Sequence, residues 1–269
     1  IKQTYEKFNQ KVVILIDEYD KPIIDNLDQV KIAIEHRSIL KRFYNEIKNQ
    51  DEYIRFAFLT GVSKFTKTSI FSDLNMLTDI SLDGRYGNIC GYTQKDLEES
   101  FAEYLVGADL EKIKEWYNGY NFLADNLYNP FDILQFFASG RVFDNYWFET
   151  GTPSFLIRLL EQNNYFLPNL SNLKIDKKIL NSFDIERLDF EVVLYQSGYL
   201  TIDKMEITPL DTIEYTLRIP NREVRQSLND YILDKYFYAR NLINKKVDLY
   251  KTLLNEDLEG FKNQLVSVF

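Results

Sequence analysis

Five consecutive aliphatic residues near the start of the sequence constrain its fold most strongly. In "KVVILIDEYDKPI", an apolar and largely β-branched run at 12–16 leads directly into three carboxylates, Asp17, Glu18 and Asp20. A continuous apolar run of this length is typical of a strand covered on both faces, as in the centre of a parallel sheet. We therefore predict a central strand that carries carboxylates at its C-terminal end.

A second apolar run follows after a helical segment. Asp20 and Pro22 give a helix-start signal, and apolar residues then recur at helical spacing from Leu40 to Ile47. The run "IRFAFLT" at 54–60 comes next. Strand, helix and strand in this order predict a βαβ unit with parallel strands and a right-handed crossover. Because ligands bind beyond the carboxyl ends of such strands, residues 17–20 and 60–64 should meet there.

The middle of the chain predicts mainly helices. The segment "DISLDGRYGNICGYT" indicates a third strand, and "TQKDLEESF" indicates a helix capped by Thr93 or Gln94. From 97 to about 180 the pattern is helical, with loops such as "WYNGYNF" and "LYNPFDIL". We interpret this part as a helical lid, in which Tyr117 and Tyr120 pack around the turn at Gly119 in preference to stacking on an adenine ring.

The last third of the chain predicts a helix, a hairpin and a helix. A helix runs from Asp184 to Gln196 and stops at Gly198, and two strands, "YLTI" and "EYTLRI", follow before a helix that starts at Arg222. This is the outline of a winged-helix unit. Its first helix, "DIERLDFEVVLYQ", is acidic, so we expect it to pack or relay motion and not to bind DNA. Arg222 and Arg225 could then face a nucleotide or a protein partner.

Composition excludes several classes of protein. The 269 residues are 45% hydrophobic, enough for a sizeable core, and the longest aliphatic run is far below the roughly 20 residues of a membrane span. A single cysteine, Cys90, and a single histidine, His36, leave no internal disulfide, zinc cluster or histidine triad, and both are expected to pack in the core. The net charge of −9 argues against bulk attraction to nucleic acid. We expect a cytoplasmic protein.

Adjacent carboxylates at the ligand edge of a parallel sheet are the arrangement that P-loop nucleotide hydrolases use. There, one carboxylate holds the Mg²⁺ that bridges the phosphates of ATP, and the next polarises the attacking water. Asp17 and Glu18 fit these two roles, and Asp20 is assigned to nucleotide binding beside them. Carboxylates at a strand end also cap helices, so the pattern by itself does not decide between the two.

The second strand end supplies further candidates. Thr60 and Ser63 in "FLTGVSK" are placed to sense the γ-phosphate or to orient the water, although Ser63 could instead cap a helix at 64–75. Lys64 and Arg85 are candidate partners for the phosphate charge, and either could equally be a solvated surface charge.

Seven ordered segments resemble one family. They are "VVILIDEYDKPI", "FAFLTGVSKFTKTSIFSDLNMLTDISLD", "ICGYTQKDL", "WYNGY", "YNPFDIL", "NYWFETGTPSFLI" and "LYQSGYLTI". Together they are similar to the bacterial AAA-ATPase-like family, whose members commonly carry a PD-(D/E)XK nuclease-type domain at the C-terminus. The resemblance implies a P-loop ATPase core of the archaeal-ATPase and STAND type, with Asp17 and Glu18 as its Walker B pair and a sensor region from Thr60 to Ser63.

The resemblance also implies parts that this sequence lacks. No G-x-x-x-x-G-K-[ST] segment occurs, and no nuclease-type domain follows. We therefore expect the central part of a longer ATPase, of α/β class: half of a P-loop NTPase core at 1–105, a helical lid at 106–180, a winged-helix-like module at 181–240 and a helical linker at 241–269. A homo-oligomer or another protein partner is left open.

Two rival functions stay open. A non-catalytic interaction scaffold with a degenerate nucleotide site would explain the missing phosphate loop in another way. A metal-dependent hydrolase that uses Asp17, Glu18 and Asp20 directly is less well supported, because no histidine accompanies them.

Overall fold

The computed structural model describes residues 1–27, 29–63, 70–71, 76–147, 172–180, 185, 189–236 and 242–266, without side chains at 231–236, 242–246 and 264–266. Helices there are α1 (Lys2–Phe8), α2 (Lys21–Ile24), α3 (Val30–Asn49), α4 (Gln94–Ser100), α5 (Ala102–Leu105), α6 (Leu110–Tyr117), α7 (Pro130–Ala138), α8 (Lys177–Leu180), α9 (Phe190–Gln196), α10 (Arg222–Tyr236), α11 (Leu242–Leu254) and α12 (Leu258–Val266). Strands are β1 (Val12–Ile16), β2 (Ile54–Leu59), β3 (Asn118–Tyr120), β4 (Leu127–Tyr128), β5 (Leu173–Asp176), β6 (Thr201–Ile207) and β7 (Ile213–Arg218).

The predicted βαβ unit is present. β1 and β2 pair in parallel, with Leu15 opposite Phe58, and α3 lies between them in the chain. The expectation that β1 is covered on both faces is wrong for the described residues. Leu15 is 71% exposed and Val13 50% exposed, whereas Ile14 on the opposite face packs against the core. Side chains alternate along a strand, and the core covers only one face of this sheet.

Two hydrophobic cores organise the described chain. The first joins the βαβ unit to the last third of the chain, and includes Tyr19, Ile23, Tyr44, Ile47, Val193, Tyr199, Leu217 and Val224. The second lies within residues 97–136, mainly in the segment predicted as a lid, and contains Leu97, Ile113, Trp116, Tyr117, Tyr128, Ile133 and Phe136. Tyr117 is fully buried there, as its packing interpretation expects.

The segment at 79–93 does not form the expected strand. A short 3-10 turn occupies Gly84–Tyr86, and a single bridge joins Tyr92 to Tyr128. The Asp83 carboxylate accepts the Arg85 N–H, which favours a tight turn over an extended chain. The helix that follows starts as predicted, because Thr93 and Asp96 form a capping box at the first turn of α4. Cys90, which was expected in the core, is exposed.

The segment predicted as a helical lid contains more β-structure than its pattern indicates. β3 comes from "WYNGYNF" and pairs antiparallel with β4 from "LYNPFDIL", two segments that were expected to be loops. Gly119 lies in β3 with φ +134°, and a Cβ there would come within 2.1 Å of the Pro220 carbonyl oxygen. β3 and the last third of the chain are therefore in main-chain contact.

The predicted hairpin and the helix after it are confirmed as elements, whereas the helix predicted from Asp184 begins only at Phe190, and residues 184 and 186–188 fall outside the described residues. α9 ends before Gly198, which has φ +84°, and β6 pairs antiparallel with β7 in a sheet of order β5-β7-β6. The Arg222 guanidinium lies 3.1 Å from the Glu115 carboxylate of α6 and over the Trp116 ring, so it faces α6. No helix in the described part of the chain has the length and apolar character needed to cross a bilayer.

Candidate nucleotide site at the ends of β1 and β2

The acidic turn after β1 divides into an exposed half and a buried half. Asp17 and Glu18 are exposed, whereas Tyr19 is 8% exposed and Asp20 is fully buried. The strand thus delivers two carboxylates to solvent and turns the third into the protein. This division separates residues that can reach a ligand from residues that hold the turn.

Hydrogen bonds tie the ends of the two strands together. The Thr60 N–H donates to the Ile16 carbonyl at 2.8 Å, and the Tyr19 N–H donates to the Thr60 carbonyl at 2.9 Å. The Thr60 hydroxyl donates to Asp17 Oδ1, which also accepts the Glu18 N–H at 3.0 Å. The structure therefore places Thr60 beside Asp17, as the sequence predicts.

Glu18 has a strained backbone. Its φ is +52°, in the left-handed region that a residue with a Cβ occupies at a cost of about 1–2 kcal/mol. The side chain is 58% exposed and lies 3.9 Å from the Lys21 ammonium, so its one described ion pair is long and solvated. Residues held in such conformations cluster at functional sites, and Glu18 is the candidate for activating water.

The Asp20 carboxylate is hydrogen-bonded inside the protein. Its Oδ1 accepts the Val62 N–H at 3.2 Å, and its Oδ2 accepts the Ser63 N–H at 2.5 Å. It stands at the N-cap position of α2 but makes no capping bond with its side chain. Burial raises the pKa of Asp20, and the bonds from Ser63 and Val62 oppose that rise.

Two tyrosines complete the buried half of the site. The Tyr19 hydroxyl donates to the Ser63 carbonyl, and the Tyr44 hydroxyl of α3 donates to the Tyr19 carbonyl at 3.0 Å. Burial, followed by the charge of Asp20, raises the pKa of Tyr44. Neither tyrosine was predicted as a site residue, and the sequence marked Tyr44 only through its place in the apolar periodicity of α3.

The described site residues form two groups. Asp17, Glu18 and Thr60 lie together at the surface, and Asp20 and Ser63 lie together beneath them, with Ser63 only 3% exposed.

Arg85 stands apart from these two groups. The Arg85 guanidinium bonds to the Asp83 carboxylate at 2.6 Å, and no described contact joins it to Asp17, Glu18 or Thr60. Lys64, and the helix that Ser63 was proposed to cap, fall outside the described residues.

The exposed group suits a hard cation. Mg²⁺ prefers oxygen ligands, keeps several waters and is usually bound through one or two carboxylates and substrate phosphates. The Asp17 carboxylate, with the Thr60 hydroxyl beside it, fits this preference. Within the described ranges, no group of three or more histidine, cysteine, aspartate or glutamate side chains could hold a metal by itself. The site therefore fits an ion that a nucleotide helps to bind better than a closed metal centre.

Comparisons with known proteins agree with the first part of this geometry. Residues 1–71 match the model of the AAA-ATPase-like family, which is described as "Predicted AAA-ATPase". A protein of Azotobacter chroococcum mcd 1, described as "Uncharacterized protein in vnfD 5'region", is 43% identical over 270 residues, which cover 100% of this chain and 52% of that protein. The chain thus spans about half the length of this relative. No solved structure matches the chain. The match over β1, α3 and β2 supports a relationship of this chain to the AAA-ATPase-like family.

Proposed function

We propose that this chain is an ATP-binding and ATP-hydrolysing regulatory module of a larger AAA-ATPase-like protein. One observation carries the proposal. The parallel strands β1 and β2 bring Asp17, Glu18 and Thr60 together at their carboxyl ends, with both carboxylates exposed and the Glu18 backbone strained. A sheet edge of this kind is where α/β proteins bind nucleotides.

Each residue of the exposed group has a role in this proposal. Asp17, as the first Walker B carboxylate, would hold Mg²⁺, and the Thr60 hydroxyl fixes the orientation of that carboxylate through Oδ1. Glu18 would orient and polarise the attacking water. Bound Mg²⁺ would neutralise the charge on the β- and γ-phosphates of ATP. Because Thr60 contacts Asp17 directly, we assign it the sensing role before Ser63, whose N–H and hydroxyl both lie against Asp20.

The phosphate groups need donors that this sequence does not supply. A Gly-Lys-Ser/Thr loop gives backbone N–H groups and a lysine to the phosphates, and no such segment occurs here. We propose that the rest of the full-length protein provides it, as the greater length of the relative allows. Lys64 and Arg85 are secondary candidates, and Arg85 would first have to leave Asp83.

The other modules have supporting roles in the same proposal. The lid would close over the nucleotide, and the winged-helix-like module would relay its state, since it shares the first hydrophobic core with the βαβ unit. We place the protein in the cytoplasm and expect a nuclease-type domain in the full-length protein. A homo-oligomer or a protein partner would receive the signal.

The proposal is tested by calorimetry and by turnover. Mg-ATP binding is measured on this chain and on the full-length gene product, and we expect tight binding in the full-length form. Glu18→Gln should keep that binding and reduce turnover by at least about 100-fold, as loss of a group that acts on the reacting water does. Glu35→Gln, an exposed change on α3, serves as the matched control and should leave turnover unchanged.

Each outcome separates the hypotheses. Absence of Mg-ATP binding in both forms would favour the scaffold with a degenerate site. Turnover in Glu18→Gln at the rate of the unmodified protein would refute the assigned role of Glu18. Metal-dependent hydrolysis without nucleotide would favour the metal-dependent hydrolase.

A further inference from the structure

We propose that Asp20 is a positioning residue that clamps the main chain of residues 61–63 and thereby holds the Thr60 hydroxyl against Asp17. The inference rests on the proposed function, because Thr60 and Asp17 are its sensor and its magnesium ligand. It changes the predicted part of Asp20: its carboxylate acts on the protein's own loop and not on the nucleotide.

The clamp consists of bonds to consecutive residues of the loop. Asp20 accepts the N–H groups of Val62 and Ser63 through its two carboxylate oxygens. The Tyr19 hydroxyl donates to the carbonyl of the same Ser63, so that residue is held at both its N–H and its carbonyl. At the start of the loop, the Thr60 N–H and carbonyl both bond to the chain of β1 and its turn.

The loop at Gly61 also packs closely against Tyr19 and Asp20. A Cβ on Gly61 would come within 2.5 Å of Asp20 Oδ1 and 2.6 Å of the Tyr19 ring. Only glycine allows the loop to approach the acidic turn this closely. Asp20 is fully buried and Ser63 is 3% exposed, so water has little access to the bond between them, whereas Val62 is 41% exposed.

The loop follows Thr60 directly, which links the clamp to the site. The main-chain bonds of Thr60 to Ile16 and Tyr19 hold one side of this residue, and in this proposal the clamp on residues 61–63 holds the other, so that the hydroxyl stays against Asp17. If Asp20 is lost, the Val62 N–H and the buried Ser63 N–H lose their acceptor, and the Ser63 N–H can regain a partner only if the loop moves towards water. Thr60 would then leave Asp17, whose carboxylate would lose the bond that orients it.

The test uses Asp20→Asn in the full-length protein. An asparagine oxygen can accept one of the two N–H groups, but its NH₂ faces the other donor. We expect hydrogen exchange at the Val62 and Ser63 amides to become about 10- to 100-fold faster, as loss of a bond to a charged group predicts. The kcat for ATP should fall by about 10-fold or more with KM within about 3-fold, because Asp20 does not touch the nucleotide.

Gly61→Ala provides a second test of the clamp, and Asp25→Asn provides its control. Gly61→Ala keeps the charge of Asp20 but pushes the loop away, so it should give the same pattern of exchange and kcat. Asp25→Asn on the same helix, exposed and paired only with Lys21 among the described residues, is the matched control and should change neither.

The position of Thr60 can be measured without ATP. In ¹³C-methyl NMR spectra, Asp20→Asn should shift the Thr60 methyl signal, and Asp25→Asn should not. If the unmodified protein does not hydrolyse ATP, the proposed function fails, and this signal alone decides the clamp: a shift supports it, and an unchanged signal overturns it. If the protein is active, faster exchange with unchanged kcat, or exchange as slow as in the unmodified protein, overturns the positioning role.

Discussion

Replacing Glu18 with glycine should make the protein more stable and less active. Glu18 is held at φ +52°, where a residue with a Cβ costs about 1–2 kcal/mol and glycine costs almost nothing. Glycine also loses about 0.5–1 kcal/mol more conformational entropy on folding. The one described ion pair of Glu18, to Lys21 at 3.9 Å, is more than half exposed on both sides and contributes little.

The two opposing effects together predict a small, measurable rise in the stability of Glu18→Gly. We expect the free energy of unfolding to rise by about 0.5–1 kcal/mol in Glu18→Gly, from the difference of the two opposing effects. Reversible urea unfolding at pH 7.5 measures it as a higher midpoint at an unchanged slope. Glu18→Gln removes the charge but keeps the strain, so its midpoint should match that of the unmodified protein.

A second substitution by glycine, Glu35→Gly, should lower stability and serves as the control. Glu35 is exposed in the middle of α3, where glycine costs about 0.5–1 kcal/mol. A fall in stability for Glu18→Gly equal to that for Glu35→Gly would refute the argument from strain. Equal ATP turnover in Glu18→Gly and the unmodified protein would show that the strained residue does not serve the chemistry.

Two further predictions concern the junction of the lid and the last third of the chain. Burial raises the pKa of Asp132 to about 6, with the Glu223 carboxyl close by and both residues fully buried. The folded protein then binds a proton that the unfolded chain releases near pH 4, so stability should fall as pH rises from about 4 to 6. Asp132→Asn should remove most of that fall and make the protein more stable at pH 8 in urea unfolding; an unchanged pH profile would contradict the raised pKa. Gly119→Ala should lower the free energy of unfolding by more than about 2 kcal/mol, because its Cβ would lie 2.1 Å from the Pro220 carbonyl oxygen. Gly107, at φ +72°, has no atom within 4 Å of the same position, so Gly107→Ala should cost only about 1 kcal/mol. Equal losses of stability in the two variants would contradict the contact.

The parts of the fold that follow from local pattern were predictable. The apolar runs at 12–16 and 54–60 gave two strands, the helical spacing between them gave α3, and the crossover rule gave their parallel pairing. The capping box at Thr93 and the hairpin of β6 and β7 also depend on neighbouring residues. The meeting of Thr60 with Asp17 followed from this topology alone.

Other features depend on residues that are distant in sequence, and local pattern could not give them. The segment at 79–93 has apolar residues suited to a strand, but Tyr92 bridges to Tyr128 at one residue only. Leu15 belongs to an apolar run, yet its exposure depends on what covers the sheet and not on the run itself. The burial of Asp20 depends on N–H groups 42 and 43 positions away, at Val62 and Ser63.

The acidic turn after β1 therefore assigns different roles to similar side chains by exposure. A carboxylate that must bind a metal ion or activate water needs a path to the ligand, and Asp17 and Glu18 are exposed. A carboxylate without that path must satisfy its charge within the protein, and Asp20 does so with two main-chain N–H groups of the neighbouring strand's loop. Because that loop begins at Thr60, which bonds to Asp17, the buried carboxylate sets the geometry in which the exposed ones act. A change at Asp20 and a change at Asp17 should thus have coupled effects on turnover, whereas changes at Asp25 and Asp17 should be additive.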